Sequence, residues 1–350
     1  MAGKIMITLD LEPLQQGARF LAAEEIYFDQ ELVLWKSSSG SESVPAGSYN
    51  YPFLFVLPPN CPTSFEGTEG SIRYFCKAKI DKPWKFDRTV KRLFTVLGVQ
   101  DLNSDPTASI PVELEKNKGL GLCCFSSGKI TAHMFLPKRG YVPGEMVPVF
   151  LNVTNNSSRF IKKVKPQLMQ TVTYEAQSIG GDARNTRHSE KFLVDLKKNT
   201  NTPRGQGVRW KPETFQIPPC PPMLINCNII HIAYWVAIEI KPSGLSFSMI
   251  LSVPITIGTI PLRQEFSALR QGFQVQGDQM QLPAIAHPLP ESYAMEYPDL
   301  PPPSYAQAMG DRVDTRDDED NEYTRGDLNY APKYTYYDWS KSSFASAPIL

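Results

Sequence analysis

The stretch Ser71-Ile72-Arg73-Tyr74-Phe75-Cys76-Lys77-Ala78-Lys79-Ile80 narrows what this chain can fold into more than any other. Ile72, Tyr74, Cys76, Ala78 and Ile80 fall on one side of an extended backbone. Arg73, Lys77 and Lys79 fall on the other, with Phe75 among them. That period of two marks a half-buried antiparallel strand. The same reading predicts strands over Phe53 to Leu57, Arg92 to Val96, Lys129 to Leu136, Met146 to Val153, Val164 to Tyr174 and Ser246 to Val253. Val142-Pro143-Gly144, Asn155-Asn156-Ser157 and Pro242-Ser243-Gly244 supply turn chemistry between them. No long helical pattern occurs, and Ala18 to Glu25 is the one stretch that reads either way. Short strands separated by such turns place the chain in the all-β class, as antiparallel immunoglobulin-like sandwiches.

A repeat at a constant offset sets the number of units. Phe55-Val56-Leu57-Pro58-Pro59 aligns with Phe215-Gln216-Ile217-Pro218-Pro219, and Ile72, Tyr74 and Ile80 align with Ile232, Tyr234 and Ile240. One register holding over this span predicts two similar sandwiches in tandem. Their expected bounds are 1–100 and 122–262, with a linker over 101–121. The second unit opens with Lys129 to Leu136, a Gly140-Tyr141-Val142-Pro143-Gly144-Glu145 turn and the Met146 strand. The first begins at Lys4-Ile5-Met6-Ile7, which matches only the Met146 strand. The first sandwich is therefore expected to lack one strand and to carry an unpaired edge.

Composition excludes several functions. The hydrophobic fraction of 41% is that of a globular protein, and the net charge is zero. Residues 311–350 hold nine Asp/Glu against five Lys/Arg, so the first 310 residues carry a net of plus four. That is too weakly basic for nucleic acid, and no basic run interleaves with aromatics. Neither a signal peptide nor a transmembrane run is visible, since the most apolar stretch, Ile225 to Ile240, is broken by Asn226, Asn228 and His231. The six cysteines show no CxxC spacing and read as reduced thiols of a cytosolic protein. Sequons at Asn152, Asn155 and Asn156 would then go unused. His133, His188, His231 and His287 lack zinc spacing. Gly119-Leu120-Gly121 lacks the third glycine of a phosphate loop, and no Gly-x-Ser-x-Gly elbow occurs. The expectation is a protein without catalytic residues, metal or cofactor. Cys123-Cys124 reads either as a palmitoylation site, which would permit peripheral membrane association, or as two thiols at a strand edge.

After Gly258-Thr259-Ile260-Pro261-Leu262 the alternation stops. Residues 263–350 are poor in branched apolar side chains and are expected to form a disordered tail, with Asp317-Asp318-Glu319-Asp320 as a solvated acidic run. Tyr323, Tyr330, Tyr334, Tyr336 and Tyr337 are open to phosphorylation or to staying unmodified. Leu300-Pro301-Pro302-Pro303-Ser304-Tyr305 stands out within the tail. Consecutive prolines hold a polyproline II rod with little entropy left to lose, ready for an aromatic groove. Pro302, Pro303 and Tyr305 form the Pro-Pro-x-Tyr pattern that WW domains read, the tyrosine filling a second pocket beside the groove. Leu289-Pro290-Glu291-Ser292-Tyr293 and Ala331-Pro332-Lys333-Tyr334 are imperfect relatives of it.

Together these segments resemble the alpha-arrestins, the arrestin-domain-containing proteins. Leu57-Pro58-Pro59, Pro62-Thr63-Ser64-Phe65-Glu66-Gly67, Gly70-Ser71-Ile72-Arg73-Tyr74 and Pro83-Trp84-Lys85 are similar to the first arrestin domain of that family. Cys123-Cys124-Phe125, Gly140-Tyr141-Val142-Pro143-Gly144-Glu145 and Ile257-Gly258-Thr259-Ile260-Pro261 are similar to the second. The resemblance implies an adaptor. HECT-type ubiquitin ligases with several WW domains would dock on the tail, and integral membrane cargo such as receptors or transporters on the arrestin fold. Ubiquitination and endocytosis of the cargo would follow, with the adaptor moving from the cytoplasm to plasma membrane and endosomes. A ligase-independent trafficking or signalling scaffold is the alternative. Family members often carry two Pro-Pro-x-Tyr copies and this chain has one, so avidity for a ligase with several WW domains is not available.

Overall fold

The computed structural model describes residues 2–9, 21–36, 46–80, 86–122, 125–178, 184–244, 248–263, 304–307, 312–316 and 320–339. The first unit contributes β1 (Ala2–Leu9), β2 (Leu21–Asp29), β3 (Phe65–Glu66), β4 (Ser71–Ile80) and β5 (Arg88–Phe94). The second contributes β6 (Val112–Leu122), β7 (Phe125–Leu136), β8 (Gly140–Tyr141), β9 (Met146–Ser157) and β10 (Ile161–Ser178). It continues with β11 (Arg184–Asp195), β12 (Lys198–Thr202), β13 (Gln206–Gln216), β14 (Ile230–Pro242) and β15 (Met249–Ile257).

The second unit is a sandwich. One sheet runs β13-β9-β7-β6, and the other carries β10-β14-β15-β8, with β11 and β12 also pairing β10. Alternation decides which side chains meet. Val147, Val149, Leu151 and Val153 of β9 and Ile232, Tyr234, Val236, Ile238 and Ile240 of β14 lie on different sheets yet share one buried apolar cluster. Each aliphatic side chain so buried contributes about 1.5–3 kcal/mol relative to exposure. His133 faces outward beside Glu113 at 3.5 Å, and His231 beside Glu175 at 3.6 Å.

The repeat is visible in hydrogen bonds as well as in pattern. The Tyr74 hydroxyl donates to the carbonyl of Pro62 at 2.8 Å, and the Tyr234 hydroxyl to that of Pro221 at 2.6 Å. Both tyrosines are buried, and each pins the proline-rich loop that precedes its own strand.

The structure settles one open reading and corrects three expectations. Ala18 to Glu25 forms no helix in its described part, because Leu21–Asp29 pairs along β1, from Leu9↔Leu21 to Ala2↔Asp29. β1 corresponds to β10 rather than to the Met146 strand: β1 lies against β4 as β10 lies against β14. Counterparts of both β7 and β9 are thus missing from the described residues of the first unit, rather than of one strand. For the same reason Phe53 to Leu57 joins no ladder. Its repeat mate Phe215 sits in β13, which pairs β9, while Leu54 and Val56 stay 87% and 78% exposed. Finally, 101–121 is not a free linker. Leu102 N–H donates to Ile260 O at 3.1 Å, Thr259 N–H to Gln100 O at 2.8 Å, and Val112–Leu122 pairs along β7 from Val112↔Leu136 onward.

Replacing Tyr234 by Phe removes the hydroxyl that donates to Pro221 O and accepts from Gln170 Nε2 at 2.8 Å. Two buried partners lose their mate, so urea unfolding is expected to show a loss of about 1–3 kcal/mol with an unchanged m-value.

Candidate interaction site

The candidate site lies in the tail, and its placement starts from β5. Lys91 of β5 stands directly across from Lys77 of β4. Like charges opposed on one face repel, and a buried ammonium without a carboxylate is costly. Lys91 is only 2% exposed. Its Nζ lies 4.8 Å from the Phe75 ring centroid, donates to Thr315 O at 3.1 Å and meets Asp320 Oδ2 at 3.1 Å. The tail therefore supplies the counter-charge that the β4–β5 face calls for.

The described tail residues form β16 (Ser304–Gln307), β17 (Val313–Asp314), β18 (Thr324–Asp327), β19 (Asn329–Tyr330) and β20 (Lys333–Tyr336). β18 pairs in parallel with β5, Thr324↔Thr89 to Asp327↔Arg92, and covers the outer edge of the sheet. Gly326 permits this approach: its φ is +136°, and a Cβ there would lie 1.9 Å from Lys91 O. Tyr330 shares a hydroxyl bond of 3.0 Å with Thr95, Lys333 N–H donates to Thr95 Oγ1 at 3.2 Å, and Tyr323 stacks on Phe86 at 5.3 Å.

At its far end the tail reaches the second unit. Tyr337 N–H donates to Pro143 O at 3.0 Å and its hydroxyl to Thr259 O at 2.7 Å. The ring packs with Leu102, Ala108, Val142 and Leu262, and Trp339 stacks on it at 5.7 Å. Gly144 is the floor of this contact. Its φ is +94°, and a Cβ there would stand 2.0 Å from Tyr337 O. Burial pushes the Tyr337 phenol up to about 12.

The sequence reading assigns 263–350 to a disordered tail, and the structure differs over 312–316 and 320–339. Leu328, Tyr330, Pro332 and Tyr334 are buried at a period of two, an alternation present in the sequence but hidden among polar neighbours. The imperfect copy Pro332-Lys333-Tyr334 is spent on this packing, with Tyr334 at 2% exposure. Asp320, read as part of a solvated acidic run, is instead the partner of Lys91, while Asp317, Asp318 and Glu319 lie outside the described residues. Among the phosphorylation candidates Tyr330, Tyr334 and Tyr337 are buried. Cys123 and Cys124 lie outside the described residues.

Pro302 and Pro303 also lie outside the described residues; Tyr305 is placed in β16 and is 61% exposed. β16 pairs antiparallel with β20, Ser304↔Tyr336 through Gln307↔Lys333, and the Ser304 hydroxyl donates to Tyr336 O at 3.0 Å. Cys61, Cys76, Cys220 and Cys227 are free thiols, and burial pushes Cys220 up to about 12, well away from a thiolate at neutral pH. No helix among the described residues is long and apolar enough to cross a membrane.

Comparison with known families agrees with both the repeat and the sandwich. Residues 13–103 match the model for the N-terminal domain of arrestin (or S-antigen), and residues 126–262 match that for its C-terminal domain. The chain belongs to the arrestin domain-containing family. Arrestin domain-containing protein 17 of Caenorhabditis elegans is 35% identical over 237 residues, 67% of this chain and 54% of that protein. Arrestin domain-containing protein 4 of Homo sapiens is 33% identical over 216 residues, 61% and 49% of the two chains. Arrestin domain-containing protein 1 of Mus musculus is 28% identical over 243 residues, 69% and 52%. The chain spans about half the length of the curated relatives it matches.

Folding raises the Tyr337 pKa from 10.0 to about 12, so its docked state binds the phenolic proton more tightly than the free tail does. The stability this contributes is complete below the free value and is lost as pH rises through the docked one. In an absorbance titration of tyrosinate, Tyr337→Phe is expected to remove one of the tyrosines that ionise late.

Proposed function

We propose that this arrestin-fold protein links integral membrane cargo to HECT-type ubiquitin ligases bearing WW domains. Pro302 and Pro303 provide the rod and Tyr305 enters the pocket, while the twin arrestin units engage cargo. The protein performs no turnover itself and needs no cofactor. Its place of action is the cytoplasmic side of the plasma membrane and of endosomes, where tagging promotes endocytosis. One observation carries the ligase arm: within the Pro-Pro-x-Tyr pattern, Tyr305 remains 61% exposed while neighbouring tail tyrosines 330, 334 and 337 are buried. An aromatic side chain left in water beside three that are packed is the one free to enter a partner's groove.

Tyr305→Ala is expected to abolish pull-down of WW-domain ligases from cells, and phosphorylation of Tyr305 to weaken it by bringing charge into an apolar pocket. Pull-down that survives Tyr305→Ala would remove the motif from this role. Cargo sorting that survives the same substitution would favour the ligase-independent scaffold.

A further inference from the structure

A Pro-Pro-x-Tyr ligand must present a free rod to a WW groove. The backbone of Ser304 and Tyr305 is not free. It is hydrogen-bonded in register with Thr335 and Tyr336, so another strand lies about 4.8 Å away along one side. The ladder also favours a β backbone, near φ −140°, rather than the −75° of polyproline II. A WW domain that closes on Pro302 to Tyr305 has to strip β16 from β20 first.

β20 cannot follow β16 outward without undoing the rest of the tail. Immediately after it, Tyr337 is anchored at both ends, by its N–H on Pro143 and its hydroxyl on Thr259, and the absent Cβ of Gly144 makes room for it. Ahead of it, β18 is laddered to β5 over Gly326, and Asp320 holds Lys91. Two close backbone approaches, each dependent on a glycine, bracket the strand that holds the motif.

Resting on the WW-ligand reading above, we propose that the docked residues 320–339 are an intramolecular clamp acting on the Pro-Pro-x-Tyr pattern through Ser304 and Tyr305, with Tyr337 as its latch. WW docking and tail docking then exclude each other. The apparent affinity of the full chain is the intrinsic one reduced by the fraction of molecules whose tail is released. By reciprocity, a bound WW domain must favour release of the tail to the same degree.

The test compares one isolated WW domain of Pro-Pro-x-Tyr specificity against the full chain and against a synthetic peptide of residues 297–308, by calorimetry. The clamp predicts that the peptide binds on the order of tenfold more tightly than the full chain. Tyr337→Ala and Asp320→Ala, placed at opposite ends of the docked segment, both move the full chain toward the peptide value. In the unsubstituted protein, saturating WW domain speeds amide hydrogen exchange over 324–327 and 333–336, a readout that does not depend on any variant folding. Equal affinities of peptide and full chain, or no change in exchange at saturation, would overturn the clamp and leave the WW reading intact. A peptide that fails to bind at all would overturn the WW reading and the clamp with it.

Discussion

The strand Ile161–Ser178 holds this architecture together. At about 3.3 Å per residue, its 18 residues extend for roughly 60 Å, enough to serve both arrestin units. Its first part pairs with β14, and that ladder ends at Pro166, whose missing N–H cannot continue it. Its last two residues, Gln177 and Ser178, pair with Ala22 and Leu21 of β2. The sheet of the first unit is thereby continuous with one sheet of the second. The proline-rich loops that start β4 and β14 are tied down the same way in each unit, by a buried tyrosine on a proline carbonyl.

A sheet that long has an outer edge to protect, and β5 is that edge. The same strand carries a lysine opposite another lysine. Both problems are met by one segment of chain more than two hundred residues further on. β18 caps the hydrogen-bonding groups of β5, Asp320 neutralises Lys91, and Tyr337 fills the crevice between Leu102, Ala108, Val142 and Leu262. The described tail residues are therefore part of the folded body, and Tyr305 of the Pro-Pro-x-Tyr pattern is joined to that body through the β16–β20 ladder.

Much of the fold was legible in the residues. Alternation at Ser71 to Ile80, Lys129 to Leu136 and Val164 to Tyr174 marked strands that exist, and the tandem repeat marked two related units. Strands whose outward positions are charged were missed: Val112–Leu122 and Arg184–Asp195 carry too few apolar residues to display a period. Phe53 to Leu57 showed the opposite failure. It has the right pattern, but a strand is made by its neighbour's hydrogen bonds, and no counterpart of β9 lies beside it among the described residues. In the tail, Leu328, Tyr330 and Tyr334 alternate correctly, yet the acidic and polar residues around them concealed a surface that packs.

The all-β class, the twofold repetition, the arrestin family and the single Pro-Pro-x-Tyr pattern are all readable from the residues, because period, turn chemistry and motif are properties of near neighbours along the chain. That β1 answers to β10, that residues 112–122 are a strand, and that the tail returns to cover β5 emerge with the folded chain. Those outcomes depend on pairing across large sequence separations. There the deciding quantities are which edge is left open, which buried charge lacks a counter-ion and where a glycine lets two backbones touch, and none of these can be read from one residue and its neighbours.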